Sequence, residues 1–156
     1  MQRFARSDPV MAPVRAISHV AIETSDLEKS MAFYQAVLGL DVFQDERTDA
    51  QQPQVKGLIA GFAVELYQRR SPAMHATGDV GSTRPCASPC ITFAIDDAEG
   101  AFRRLKETGH VHAQAITENR GAKYFFVSDP DGYIFELIEF PPGLTTLADI
   151  APLLRK

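Results

Sequence analysis

Apolar and polar positions along this chain change period in an order that occurs twice. In AISHVAIET, residues 16–24, β-branched and apolar residues predict a strand, with Ile17, His19, Ala21 and Glu23 on one face. Ser25-Asp26-Leu27-Glu28 follows as a Ser-x-x-Glu capping box, which satisfies two orphan amides at a helix start. Leu27, Met31, Tyr34, Val37 and Leu38 then recur at helical spacing as far as Gly39, predicting a helix over 26–38 that ends on a left-handed residue. Beyond it, LDVFQD, the polar stretch ERTDAQQPQ, VKGLIA and FAVELYQ predict three strands, the last two separated by little more than Gly61. The order is β-α-β-β-β.

The second half repeats it. PCITFAID, 89–96, predicts a strand whose Asp96, with Glu99, serves as N-cap and N3 of a helix through Ala98, Phe102 and Leu105 to Gly109. Strands are expected at VHAQAI, KYFFVS and YIFELIEF, the last two joined by Asp129-Pro130-Asp131-Gly132, which matches a type I turn residue by residue. One offset of 71 residues relates Gly61 to Gly132, Glu65 to Glu136, Leu66 to Leu137, Ser25 to Asp96 and His19 to Cys90. The helix ends, Gly39 and Gly109, miss that offset by one. This registration points to two similar modules, the plain alternative being look-alike glycine turns.

Composition narrows the functional classes. With 156 residues, 45% hydrophobic and 23% charged, the chain is the length of one globular domain, and no apolar run approaches the ~18 residues of a membrane span. A net charge of −4 without a Lys/Arg run excludes the electrostatic footprint of a nucleic-acid binder. Cys86 and Cys90 form no disulfide framework and lack the second pair of a zinc finger. A cytoplasmic protein is expected.

The candidate chemistry lies in GFAVEL and GYIFEL, where each module sets a glutamate in an apolar strand. Glu65 shares a face with Ala63 and Tyr67, and Glu136 with Ile134 and Ile138. A carboxylate on a buried face is costly unless paired, protonated or bound to a cation, and no neighbouring Arg or Lys in sequence must supply the pair. With His19, these glutamates make a plausible donor set for a first-row metal ion. A solvent-facing rim position is the ordinary alternative for each of the three taken alone.

HVAIETSDLEKSMAFYQAVLGL, a strand with a central glutamate, and a second unit ending SDPDGYIFELIE together resemble the vicinal oxygen chelate superfamily over roughly residues 14–141. That superfamily includes glyoxalase I, methylmalonyl-CoA epimerase, extradiol dioxygenases, and fosfomycin- and bleomycin-resistance proteins. The resemblance implies an α+β fold of two tandem βαβββ modules, 14–70 and 89–141, forming a curved mixed sheet around a cleft. A tail (1–13), a linker (71–88) and a C-terminal extension (142–156) complete the expected organisation.

In glyoxalase-like members the ligand positions hold His, Glu, His and Glu; this chain offers His19, Glu65, Cys90 and Glu136. Cys90 departs from the pattern: a thiolate there suits zinc, and a small buried residue is the alternative reading. The implied cofactor is a divalent ion (Zn, Ni, Mn, Co or Fe), and the implied partners are a small-molecule substrate and a second copy of the chain. The implied activity is that of a lyase or isomerase of the lactoylglutathione-lyase type acting on a substrate with adjacent carbonyl and hydroxyl oxygens. In it, Glu136, with Glu65 as second choice, moves a proton through an enediolate. No stretch matches a glutathione-recognition motif. The alternative is a metal-free sequestering protein of the bleomycin-resistance type, with Tyr67, Phe93, Tyr124 and Phe126 as pocket or core aromatics. A ring-cleaving dioxygenase fits less well, because those enzymes resemble one another in using two histidines. His75, His110 and His112 read as surface or rim residues, and the linker as a plain connection or a lid over the cleft.

Overall fold

In the computed structural model, which describes residues 15–69, 90–111, 115–146 and 148–149, each half folds into its own βαβββ module. The first contains β1 (Val20–Thr24), α1 (Leu27–Leu38), β2 (Asp41–Glu46), β3 (Gln54–Ile59) and β4 (Phe62–Gln68). The second contains β5 (Ile91–Ala94), α2 (Ala98–Glu107), β6 (Thr117–Asn119), β7 (Ala122–Ser128) and β8 (Ile134–Glu139). The four-stranded sheets have matching orders, β1-β4-β3-β2 and β5-β8-β7-β6, and named strands pair only within a module. In both, the first strand runs parallel to the last and the other neighbours are antiparallel. The architecture is α+β, as expected, with the mixed sheet divided into two.

Both helix starts lie one residue later than the sequence suggests. Asp26, in extended backbone, caps α1 by accepting from Lys29 N–H, and Asp97 caps α2 by accepting from Gly100 N–H. Ser25 is diverted because its own N–H donates to both carboxylate oxygens of Asp131 at 3.0 and 3.1 Å. Glu99 is drawn instead to Lys123, 2.6 Å away. Since both caps move by one, the offset of 71 holds between Asp26 and Asp97.

Two tight hairpins set the strand register. Ala60-Gly61 and Arg120-Gly121 all have positive φ, the type I′ geometry that matches strand twist. The expected VHAQAI strand lies partly outside the described residues; Val111 makes an isolated bridge to Val127, and the named pairing of β6 with β7 starts at Thr117. The 129–132 turn forms as expected, closed by Gly132 N–H donating to the Asp129 carbonyl at 3.1 Å.

One core joins the modules. Val64 and Leu66 of β4 and Phe135 and Leu137 of β8 are buried with Phe33 and Tyr34 of α1. Tyr34 meets Phe135 edge-on at 5.8 Å and donates its hydroxyl to Asp129 at 2.9 Å. Burial, reinforced by the Asp129 charge, pushes the Tyr34 phenol above its ordinary range, so it remains a donor. Arg69 completes the junction between Glu23 and Asp131, at 3.5 and 3.7 Å.

Asp129 is only 4% exposed, and burial raises its pKa above the ordinary carboxylate value despite donors from Tyr133, Tyr34 and Asp131. The native carboxyl therefore holds its proton more tightly than the unfolded one. Its contribution to stability is fully present below the unfolded pKa of about 3.9 and is lost as pH rises through the raised native value. The stability of wild type relative to Asp129→Asn, from urea unfolding at stepped pH, is expected to fall across that window. A pH-independent difference would contradict this.

Candidate functional site

Strand alternation separates core from site. Val64 and Leu66 face the core, so Glu65 between them takes the outer face; Phe135 and Leu137 do the same for Glu136. The two glutamates thus stand on the far side of their own sheets from the shared core. Among the described residues, no three of His, Cys, Asp and Glu come within reach of a common ion. One chain presents two candidate half-sites.

The first half-site holds His19, which immediately precedes β1, and Glu65 on the adjacent β4. His19 Nε2 lies 3.5 Å from Glu65 Oε2. That separation is long for a hydrogen bond, but two donors each bound at about 2.1 Å to one tetrahedral ion stand about 3.4 Å apart. The imidazole is half exposed and the carboxylate mostly covered, so they meet at the mouth of a recess of about 230 Å³ lined also by Ser18, Phe43, Lys56, Ala63 and Val64. Phe43 is 62% exposed because the β2–β3 register slips between Val42 and Gln44.

Sequence reasoning missed Lys56. It stands directly across from Glu65 on β3, with Nζ 3.7 Å from Glu65 Oε1, and supplies the counter-charge that was not evident along the chain. Counting back from the Ala60-Gly61 hairpin, where Ile59 pairs with Phe62, would have revealed it.

The second half-site repeats the register with different chemistry. As Ala21 pairs with Glu65, Thr92 pairs with Glu136, and the Thr92 hydroxyl donates to Glu136 Oε2 at 2.7 Å. Opposite Glu136 on β7 is Phe126, whose ring lies 6.0 Å from Tyr124. Half-buried Cys90 directs its thiol to the Ile134 carbonyl at 3.4 Å, at the start of β8. Tyr67 occupies Glu65's face, and Tyr124 and Phe126 occupy that of Glu136. Phe93 is placed differently: it pairs with Leu137 and its ring lies 6.0 Å from that of Phe135, on the core side. Its place on the strand, two residues from Ile91 and one from Thr92, allowed either reading until the β5–β8 register was known. His110 packs edge-on against Phe33 at 4.8 Å; His75, His112, Cys86 and the linker lie outside the described residues.

The model of the Glyoxalase/Bleomycin resistance protein/Dioxygenase superfamily matches residues 16–137. This chain belongs to that superfamily. Within the glyoxalase superfamily it is 30% identical over 125 residues to the lactoylglutathione lyase of Salmonella typhimurium, covering 78% of this chain and 90% of the relative. It is also 30% identical over 132 residues to that of Neisseria meningitidis, covering 83% and 94%. The fosfomycin resistance protein FosX from Listeria monocytogenes shares the fold, with a TM-score of 0.64 at 19% identity over 88% of this chain and 98% of FosX. A FosX structure complexed with Mn(II) and sulfate aligns at a TM-score of 0.60, with 19% identity over 83% of this chain and 96% of that one. Mn(II) is thus held by a protein of the same fold. No described helix of this member is long and apolar enough to cross a membrane.

Proposed function

We propose that this protein is a metal-dependent lyase or isomerase of the glyoxalase type, with each centre assembled between two copies of the chain. His19 and Glu65 come from one protomer, and Glu136, beside Cys90, from its partner. The observation that carries the reading is the 3.5 Å approach of His19 to Glu65 on an outer face, with Glu136 at the matching register of the second sheet. Neither half suffices alone, and two-fold symmetry joins unlike halves from two copies into two equal centres. The likeness to lactoylglutathione lyases supports proton-transfer chemistry over ring cleavage.

The donor set, one imidazole and two carboxylates, suits a divalent first-row ion, and Cys90 is an optional fourth ligand. Bound there, such an ion would polarise a substrate carbonyl and so acidify the adjacent C–H. The residues do the remaining work. Thr92 fixes Oε2 of Glu136, which orients the carboxylate. Glu136 takes the proton from the hydroxyl-bearing carbon and returns it to the neighbouring carbon while the hydroxyl proton passes to the former carbonyl oxygen, so the net change is isomerisation without gain or loss of protons. Tyr124 and Phe126 give its surroundings an apolar wall that limits water.

One set of contacts favours metal-free sequestration as the second reading. Lys56 already pairs with Glu65, Thr92 with Glu136, and the Cys90 thiol with a backbone carbonyl. Metal content of untagged protein purified without chelators separates the two. About one equivalent per chain is expected in wild type, falling at least tenfold in affinity for Glu65→Gln and staying in place for Cys90→Ser. Trace metal in every protein would favour sequestration.

A further inference from the structure

We infer that Lys56 reads the charge of the substrate: it receives the carboxylate of a small hydroxy or oxo acid, so this site selects organic acids over neutral carbonyl compounds. The inference rests on the metal-dependent reading above and names the substrate class for that site.

The strand leaves Lys56 no other place to point. Its neighbour Val55 is fully buried, and a Cβ at Gly57 would come 2.6 Å from the Asp41 carbonyl oxygen. Those neighbours fix β3 tightly against the core and β2, and the residue between them takes the outer face. There Lys56 lines the same recess as His19, Glu65 and Phe43, with its side chain one-third exposed. Its 3.7 Å contact with Glu65 is an ion contact and too long for a hydrogen bond, so the ammonium's donors are not committed to that carboxylate.

Charge balance then indicates the ligand. In the proposed centre a divalent ion would have its two charges cancelled by Glu65 and Glu136, and with Cys90 kept as a thiol donating to the Ile134 carbonyl, Lys56 would leave a surplus of one. An anionic ligand removes the surplus, whereas a neutral one leaves a partly covered cation without a counter-charge. The matched residue of the second module is Phe126, so the charge belongs to one wall of the site and is not a feature of the repeated fold.

The test compares glycolate with hydroxyacetone, which have nearly the same shape and differ in charge, by calorimetric titration of protein loaded with saturating manganese. Wild type is expected to bind glycolate about tenfold more tightly, the scale of one charge-assisted contact. Lys56→Met is expected to lose that preference by weakening glycolate far more than hydroxyacetone, and Lys56→Arg to keep it. Because a positive charge leaves the site, Lys56→Met is also expected to raise manganese affinity about threefold. Full manganese loading with the glycolate preference intact in Lys56→Met would overturn the assignment of Lys56 alone, as would equal loss of both ligands. Failure of wild type to load manganese would overturn the catalytic reading and this inference with it.

Discussion

Glu136→Gln is expected to lower kcat/KM by about a thousandfold, the loss typical of removing a general base. Exchange of the carbon-bound protons of dihydroxyacetone into deuterated water provides an assay in which the neutral substrate makes no demand on Lys56. The amide keeps the shape of the side chain and can still meet Thr92, but it cannot take a proton. Mixing adds a sharper test. When Glu65→Gln and Glu136→Gln chains are unfolded together and reassembled, half of the dimers are mixed, and each mixed dimer has one intact centre and one doubly altered centre. About one quarter of wild-type activity should return. If every centre is formed within one chain, mixing restores nothing and the two-copy assembly is wrong.

The second large effect is on stability. Phe135→Ala is expected to cost about 3–5 kcal/mol, a substantial share of the ~5–15 kcal/mol available to a domain of this size. Phe135 is 2% exposed and its ring meets Tyr34 of the other module and Phe93 of its own, so truncation opens a cavity where the modules join. Tyr34→Phe removes only the hydroxyl and leaves Asp129 one donor short, for about 1–3 kcal/mol. The two losses should not add, because both weaken the same junction. Urea unfolding of the single and double variants measures this. A loss below about 1 kcal/mol for Phe135→Ala would mean that the modules close over the gap.

Much of the fold was legible because it depends on local signals. Period-two and helical patterns located the strands and helices, Gly39 ended α1 in left-handed backbone, and the 129–132 turn followed from its residues. The caps were misplaced by one because long-range partners intervened: Asp131 captured Ser25 at the first, and Lys123 drew Glu99 at the second. The placement of the candidate carboxylates followed the same local logic: alternation puts Glu65 and Glu136 opposite the core. Lys56 and Thr92 were missed because their roles depend on cross-strand register, a property of pairs of strands. Phe93 shows the same limit, since its face was decided by the pairing of β5 with β8.

The unlike residues across from the two glutamates have one more consequence. Lys56 and Phe126 occupy corresponding places in a duplicated framework, so the two walls of the proposed two-copy centre would be a mismatched pair. A perfectly repeated framework would accept a ligand either way round. In the proposed centre a molecule with an acidic end and a carbon end would enter in one sense only, presenting a single face of its reacting carbon to Glu136. Handedness in the product is therefore expected to depend on this broken repeat: exchanging the two residues should reverse or scramble the stereochemistry and leave the framework standing.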